Sequence, residues 1–176
     1  MDIHPIRLFG DPVLRTASTP VLDFSNSLQL LVQNLQEVLK QSKGVGLAAP
    51  QIGVPLRVFV WSFKNNSGVL VNPILTQKFP DDTYDEEGCL SIPGLFFATP
   101  RANQVKISGY DTEHKPLTIL AEGMLARIFQ HEVDHLDGKF FVDNLIGEDR
   151  KNAFSQIRQA LPRLENNTSF NGGTRR

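Results

Sequence analysis

The chain has 176 residues, of which 40% are hydrophobic and 21% are charged, and 18 basic residues nearly balance 19 acidic ones. This length and composition predict a single folded domain that buries its own core. The near-zero net charge gives no electrostatic argument for a direct nucleic-acid role or for binding to a membrane surface.

Cysteine usage and the apolar pattern indicate where the protein works. The sequence has one cysteine, Cys89, so an intramolecular disulfide is excluded and a reducing compartment is favoured. We find neither a signal-peptide pattern at the start of the sequence nor an apolar run of membrane-spanning length. We therefore expect a cytoplasmic protein.

The first clear helix follows an N-terminal arm. Turn residues punctuate the arm, and Asp11-Pro12 can open a short helical turn through Arg15. The helix begins near Ser25 and is expected to end at Gly44. Its apolar residues recur with a helical period: Leu28, Leu31, Val32, Leu35, Val38 and Leu39. They form a core-facing stripe, to which we assign no catalytic role.

The segment Gly44-Val45-Gly46-Leu47-Ala48-Ala49-Pro50-Gln51 combines two glycines with small residues. Such a segment lets another backbone or a ligand approach closely. It is not a phosphate-binding loop, because it lacks a Gly-Lys-Ser/Thr ending and a preceding strand. The residues alone leave tight packing and ligand contact equally open.

The remaining elements predict an α+β domain. Strands are expected at 57–61 and 69–73, joined as a hairpin, and at 105–110 and 117–120. Residues 81–87 are acidic and expected to be exposed, with Glu86 and Glu87 as possible exceptions. Helices are expected over 122–136, ending at Gly138, and over 147–161. Residues 1–164 would form one catalytic domain, and the polar residues 165–176 a disordered tail.

The helix over 122–136 carries the motif Gln130-His131-Glu132-Val133-Asp134-His135. At about 100° per residue, His131, Glu132 and His135 share one arc of the helix. That arc also holds the apolar residues Met124, Leu125, Ile128 and Leu136. A polar stripe is expected on the other side: Arg127, Gln130 and Asp134. Buried imidazoles and carboxylates cost several kcal/mol each unless a partner satisfies them, and one metal ion would satisfy all three.

A third metal ligand must come from elsewhere in the chain, and Cys89 is the natural candidate. A lone cysteine is more often a small buried hydrophobe, but a thiolate is also a strong ligand for zinc or ferrous iron. Cys89, His131 and His135 would leave a fourth position for water, which is typical of a catalytic site. Glu132 would then act as general base on that water. The fold prediction is therefore mostly antiparallel sheets packed around a central metal-binding helix, with an N-terminal and a C-terminal helix.

Three segments in this order resemble the peptide deformylases: Gly44 to Gln51, then Glu87-Gly88-Cys89-Leu90-Ser91, then Gln130 to His135. The resemblance covers roughly residues 3 to 160. It implies removal of the formyl group from N-formylmethionine at the start of newly made polypeptides, near the ribosomal peptide exit. It also implies one divalent metal ion, with Fe²⁺ in vivo and Zn²⁺, Ni²⁺ or Co²⁺ as substitutes.

The resemblance further implies site residues. The side chain of Gln51 and the backbone N–H of Leu90 would stabilise the oxyanion, beside Glu132 as a catalytic group. We expect the pocket for the substrate methionine at Val45, Gly46, Gly88, Met124, Leu125 and Ile128, although ordinary core packing explains such residues almost as well. Some family members carry a basic residue where this chain has Leu95-Phe96-Phe97.

Glu87 and Asp134 could orient the imidazoles, with Arg101 as a balancing charge, although surface pairing is the commoner role for such groups. Two other functions stay open at the level of the residues. A metallopeptidase shares the His-Glu-x-x-His motif but usually takes a His or a carboxylate as third ligand. A structural metal module would need a fourth protein ligand, for which His4 and His114 are available.

Overall fold

The computed structural model describes residues 5–169 of the chain, and for 163–169 it describes the backbone alone. Three helices are present: α1 at Asn26–Ser42, α2 at Met124–Leu136 and α3 at Gly147–Ser169. The strands are β1 at Gly46–Ala48, β2 at Val58–Phe63, β3 at Asn66–Lys78, β4 at Asp82–Cys89, β5 at Ile92–Ala102, β6 at Gln104–Tyr110 and β7 at Pro116–Glu122. Short 3-10 turns lie at Pro12–Arg15, Ala49–Ile52 and Phe141–Asn144.

The strands form two separate sheets. Five strands pair in the order β1-β2-β3-β6-β7, and β4 and β5 form a two-stranded hairpin of their own. All of these pairings are antiparallel. The predicted α+β class with antiparallel sheets is confirmed.

The five-stranded sheet is covered by a helix on each face. Because side chains alternate along a strand, Val58 and Val60 of β2 pack with α1, whereas Phe59 and Trp61 pack with α2. Helix α1 contributes the periodic residues Leu28, Val32, Leu35, Val38 and Leu39 to its side of the core. Helix α2 therefore lies between the sheet and the β4–β5 hairpin, which makes it the central element.

The third part of the core joins the hairpin to the C-terminal helix. Ala153 and Ile157 of α3 are buried against Leu14, Ile92 and Phe140. None of the helices in the described part of the chain combines the length and the apolar composition needed to cross a bilayer.

The structure differs from the sequence prediction at two helix ends. Helix α1 ends at Ser42, and the residue that caps it in the left-handed conformation is Lys43 (φ 56°), one position before the expected stop at Gly44. Helix α3 continues to Ser169, past the expected end at 161 and into the first residues of the expected tail. Residues 170–176 of that tail lie outside the described residues.

The acidic stretch at 81–87 is largely exposed, as expected, with Thr83 half-buried and Glu87 buried, but the sequence did not predict a strand there. It forms most of strand β4, which pairs with β5 from Asp82 opposite Ala102 to Cys89 opposite Ile92. Glu87 is buried and Glu86 is exposed. Aspartate and glutamate disfavour strands, so local propensity does not indicate this strand, which is stabilised by its pairing with β5.

Candidate metal centre and its cavity

Cys89, His131 and His135 meet in space, as the motif predicts. One potential ligand atom from each lies within 4.8 Å of the others, and all three residues are buried. Strand β4 delivers Cys89, and helix α2 delivers both imidazoles from successive turns of one face. Cys89 Sγ lies 3.2 Å from His135 Nε2. For comparison, neighbouring ligands of a tetrahedral zinc ion lie about 3.6 Å apart.

Glu87 holds the first imidazole. Its Oε1 lies 2.6 Å from His131 Nδ1, which leaves Nε2 of that ring for a metal. Burial by itself raises the pKa of Glu87, but hydrogen bonds from His131 and Arg101 outweigh burial and hold the pKa well below its usual value. Glu87 is therefore a carboxylate, the form that can accept a proton from Nδ1–H.

The pKa values of the two imidazoles are shifted in opposite directions. Burial by itself lowers the pKa of His131, but hydrogen bonds to Cys89 and Glu87 raise its pKa well above the usual value. Burial and the neighbouring charge of His131 lower the pKa of His135. A neutral imidazole binds metal, so His135 is ready to ligate and a bound cation would displace the proton of His131.

Glu132 lies beside the ligands and is 3% exposed. Burial raises the pKa of its carboxyl to about 7, which suits a proton carrier near neutral pH, although a bound cation would lower that pKa again. Within the described residues, its Oε2 has no hydrogen-bond partner. An unsatisfied buried carboxylate oxygen is costly unless a water or a substrate proton comes to it.

Gly46 makes room for that carboxylate. A Cβ built on Gly46 would overlap Glu132 Oε1 and would lie 2.9 Å from its Cδ. Strand β1 pairs with β2 at this point, with Gly46 opposite Trp61, so the backbone has little freedom to retreat. The close approach that the glycine-rich segment permits is therefore made by the side chain of Glu132.

Gln51 is buried in the 3-10 turn after β1, and its amide is oriented by its neighbours. The backbone N–H of Ala48 donates to Gln51 Oε1 (2.9 Å), so the amide nitrogen must face the other way. Gln51 Nε2 lies 3.7 Å from Cys89 Sγ and 3.2 Å from Ser91 Oγ. A hydrogen-bond donor is thus aimed at the centre.

A cavity of about 430 Å³ opens onto these groups. It is lined by Gln51, Cys89, Leu90, His131 and Glu132 and, among the expected methionine-pocket residues, by Val45, Gly46, Gly88, Met124 and Ile128. Leu125 is not among its lining residues, because its side chain packs against the core between α2 and the large sheet. Leu90 lies in the turn directly after Cys89.

The residues of the expected polar stripe do not lie opposite the ligands: Arg127 lines the same cavity as His131, and Arg127 and Gln130 are buried whereas Asp134 is half-buried. Arg127 is 4% exposed and Gln130 is 2% exposed, because the β4–β5 hairpin covers that side of the helix. Gln130 Nε2 donates to the carbonyl oxygen of Ala102, and Ala102 N–H donates back to Gln130 Oε1. A helical projection separates polar from apolar positions, but it does not show which side another element will cover.

The residues present fit a metal ion. A thiolate and two imidazoles are donors suited to zinc or ferrous iron, and they converge in a buried place that is open to a cavity. His114, in the turn between β6 and β7, stacks on Phe24 and is not one of the three clustered ligand residues. His4 lies outside the described residues. Three protein ligands are typical of a catalytic rather than a structural site.

The fold and the site define a metal-dependent hydrolase of the His-Glu-x-x-His type. The sequence profile of the family described as "Polypeptide deformylase" matches residues 3–151. The chain belongs to this family, which consists of metal-dependent hydrolases whose function is the removal of the formyl group from N-formylmethionine. Family membership thus selects the deformylase among the three functions that the residues alone left open.

Known proteins resemble the chain over most of its length. It is 48% identical over 160 residues to the peptide deformylase of Acidothermus cellulolyticus, covering 91% of this chain and 88% of that one. The structure of the Thermus thermophilus peptide deformylase is similar with a TM-score of 0.87, at 40% identity over 94% of this chain and 99% of that one. The structure of the Legionella pneumophila peptide deformylase is similar with a TM-score of 0.84, at 39% identity over 93% of this chain and 97% of that one.

Proposed function

We propose that Cys89, His131 and His135 bind one divalent metal ion and that Glu132, Gln51 and Leu90 carry out the hydrolysis of the formyl group beside it. The observation that carries this proposal is the convergence of three buried ligand atoms within 4.8 Å at one cavity that also holds Glu132. When bound, the ion supplies Lewis acidity, which makes a water easier to deprotonate and polarises the formyl oxygen.

The protein's own groups move the proton. Glu132 accepts a proton from the attacking water at a carboxylate oxygen, and the water oxygen bonds to the formyl carbon. Glu132 then returns the proton to the amine nitrogen as the carbon–nitrogen bond breaks, which gives formate and a free amino terminus. Its freedom from a fixed partner at Oε2, among the residues that the structure describes, supports this role, because an oxygen already engaged in a hydrogen bond would accept a proton less readily.

Two neutral donors stabilise the charge that develops on the formyl oxygen. Gln51 Nε2 is held towards the centre by the hydrogen bond that its Oε1 accepts from Ala48. The backbone N–H of Leu90 is the second donor, at the turn that follows Cys89. Donors that are fixed before the reaction cost no reorganisation when the charge appears.

The methionine side chain enters the apolar part of the cavity. Val45, Met124 and Ile128 line it, and Gly46 and Gly88 keep its walls close to the backbone. A larger residue than glycine does not fit at position 88, since a Cβ there would lie 2.5 Å from the ring of Phe96. An unbranched thioether suits an irregular apolar pocket of this kind.

We propose Fe²⁺ as the ion used in the cell, with Zn²⁺, Ni²⁺ and Co²⁺ as substitutes. A thiolate donates more electron density than an imidazole, which blunts the ability of zinc to polarise the formyl oxygen. Ferrous iron accepts a further ligand more readily, but oxygen can attack it or oxidise the Cys89 sulfur. The proposed substrates are N-formylmethionyl nascent polypeptides in the cytoplasm, reached near the ribosomal exit.

Formate release from formyl-Met-Ala by protein purified without oxygen tests the proposal. Protein stripped of metal and reloaded with iron, nickel or zinc is assayed before and after exposure to air. We expect the iron form to be the most active and the least durable. Equal activity and equal survival of the iron and zinc forms would contradict the metal assignment, and absence of formate release from every form would contradict the reaction.

A further inference from the structure

Arg127 is a buried arginine that the mechanism above does not use. It lies on α2 one turn before His131, and its guanidinium donates to both strands of the β4–β5 hairpin. Its Nη1 donates to Glu87 Oε2 (2.9 Å) and to the carbonyl oxygen of Thr99 (2.8 Å). Its Nη2 donates to the carbonyl oxygen and the hydroxyl of Thr83 (3.2 and 3.1 Å) and lies 3.4 Å from Asp85 Oδ2.

These contacts matter because the metal ligands are divided between two elements. Cys89 lies on the hairpin and both histidines lie on α2, whereas β4 and β5 form a sheet separate from the large one. The position of Cys89 relative to the imidazoles is therefore not set by strand pairing with the main sheet. Side-chain contacts between α2 and the hairpin contribute to it, beside the backbone hydrogen bond from Phe9 to Ser91, and Arg127 makes such contacts to β4 and β5 at once.

Arg127 also acts on the first imidazole through Glu87. The two oxygens of Glu87 are shared among three groups: Oε1 accepts from Arg101 Nη2 and from His131, and Oε2 accepts from Arg101 Nε and Arg127. Arg127 is thus a second donor, beside Arg101 Nε, to the oxygen that does not face the imidazole, and the two guanidiniums together restrict rotation of the carboxylate. The planar guanidinium suits this role, because its donors diverge in a rigid fork.

We propose that Arg127 is a positioning residue that fixes Cys89 and His131 relative to each other and thereby sets the affinity of the centre for its metal. This inference rests on the proposed metal site. Substitution of groups that orient metal ligands typically weakens metal binding by about 10–100-fold. The effect should reach the metal without any direct contact between Arg127 and the ion.

Cobalt binding tests the inference without relying on activity. The affinity for Co²⁺ is measured by competition with a chelator, and the thiolate-to-cobalt charge-transfer band reports the bond to Cys89. We expect Arg127→Met to bind Co²⁺ about 10–100-fold more weakly, with a shifted or weakened band. Arg127→Lys should also fall short of the wild type, because one ammonium keeps the charge but does not span both strands.

Arg57→Met is the matched control. Arg57 ties the end of α2 to the large sheet by donating to Asp137 (2.8 Å) and to the carbonyl oxygen of Pro73 (3.2 Å), away from the hairpin. Its loss should lower the melting temperature of the metal-free protein but leave cobalt affinity within about twofold. If Arg127→Met fails to fold, Arg127→Lys carries the same comparison.

The outcomes separate the two proposals. A wild-type protein without a thiolate–cobalt band would overturn the metal site itself. A wild-type band together with unchanged affinity and spectrum in Arg127→Met would leave the site intact and overturn the role of Arg127. Full restoration by Arg127→Lys would mean that charge alone is needed, which also contradicts positioning by the guanidinium.

Discussion

The carboxylate of Glu132 combines burial, a raised pKa and, among the described residues, an unpaired oxygen, which are three properties of a proton carrier. Replacing it by glutamine keeps the shape of the side chain but removes the basic group. We expect Glu132→Gln to retain stoichiometric metal and its melting temperature while kcat falls by at least about 10²-fold. Metal analysis measures the retained ion, and formate release measures kcat. A rate within a few-fold of the wild type would mean that another group takes the proton.

Gln51 donates towards the centre from a fixed orientation. We expect Gln51→Ala to lower kcat by about 10²–10³-fold with little change in KM, because its hydrogen bond strengthens only as negative charge develops. Ser91→Ala is the control, since it removes an acceptor of Gln51 Nε2 but keeps the donor. A change in KM alone for Gln51→Ala would make Gln51 a substrate-positioning residue instead.

Gly46 and Gly44 offer a matched pair of substitutions. At Gly46 a Cβ meets the carboxylate of Glu132, whereas at Gly44 it meets the methyl end of the flexible Leu90 side chain at 2.8 Å. We expect Gly46→Ala to lower kcat by about 10²-fold, since a shift of about 1 Å in a catalytic group costs that much. Gly44→Ala should have a smaller effect. Steady-state kinetics compare the two, and equal losses would show that the proximity of Gly46 to Glu132 is not what matters.

At the scale of elements, the proposed metal centre would join a hairpin and a helix that belong to different layers. A bound ion would stabilise the folded state by an amount that grows with the logarithm of its affinity, and it would add a link between β4 and α2. We expect chelation to raise hydrogen exchange in β4, β5 and the second half of α2 while β2, β3 and β6 stay protected. Exchange measured with and without metal tests this. A uniform rise across the large sheet would mean that the ion stabilises the whole core.

The helices and strands also show which parts of the fold the sequence predicts. The periodicity of α1 and the spacing of His131 and His135 predicted two helices and two ligands, because both signals are local. The ion cluster of Glu87, Arg101 and Arg127 was only partly foreseen, since its members come from β4, β5 and α2. The acidic residues of β4 indicated exposure correctly but did not indicate a strand. Their strand is stabilised by partners that are distant in the sequence.

Glu87 and Arg127 illustrate the limit for the site. Sequence reasoning proposed Glu87 as a partner of an imidazole, but it placed Arg127 on a stripe away from the apolar face. A hint was available, because an arginine at four residues before His131 lies on the same side of the helix as that ligand. The sequence does not predict that the β4–β5 hairpin covers Arg127, because the register of the hairpin and its packing against α2 depend on long-range contacts.

At the scale of the whole molecule, the C-terminal helix contributes to the core through its first half. Ala153 and Ile157 are buried, and the family profile ends at 151. We expect a chain that ends after Leu164 to keep its melting temperature and its activity within about twofold. A chain that ends after Ile146 should lose stability by several kcal/mol, because it exposes the residues that α3 covers. Thermal unfolding and formate release compare them, and a large loss on ending after Leu164 would assign a role to the tail.

The division of the ligands between β4 and α2 also has a consequence for the order of folding. Cys89 and His135 are 46 positions apart in the chain, with β5, β6 and β7 between them. Closing so long a loop costs entropy that is recovered only when the intervening strands have paired. During synthesis, an ion that arrives before the end of α2 emerges meets a single thiol without its imidazole partners. With the proposed ligands, the chain would therefore acquire its ion only after most of it has folded, and until then Cys89 would be a free thiol open to oxidation.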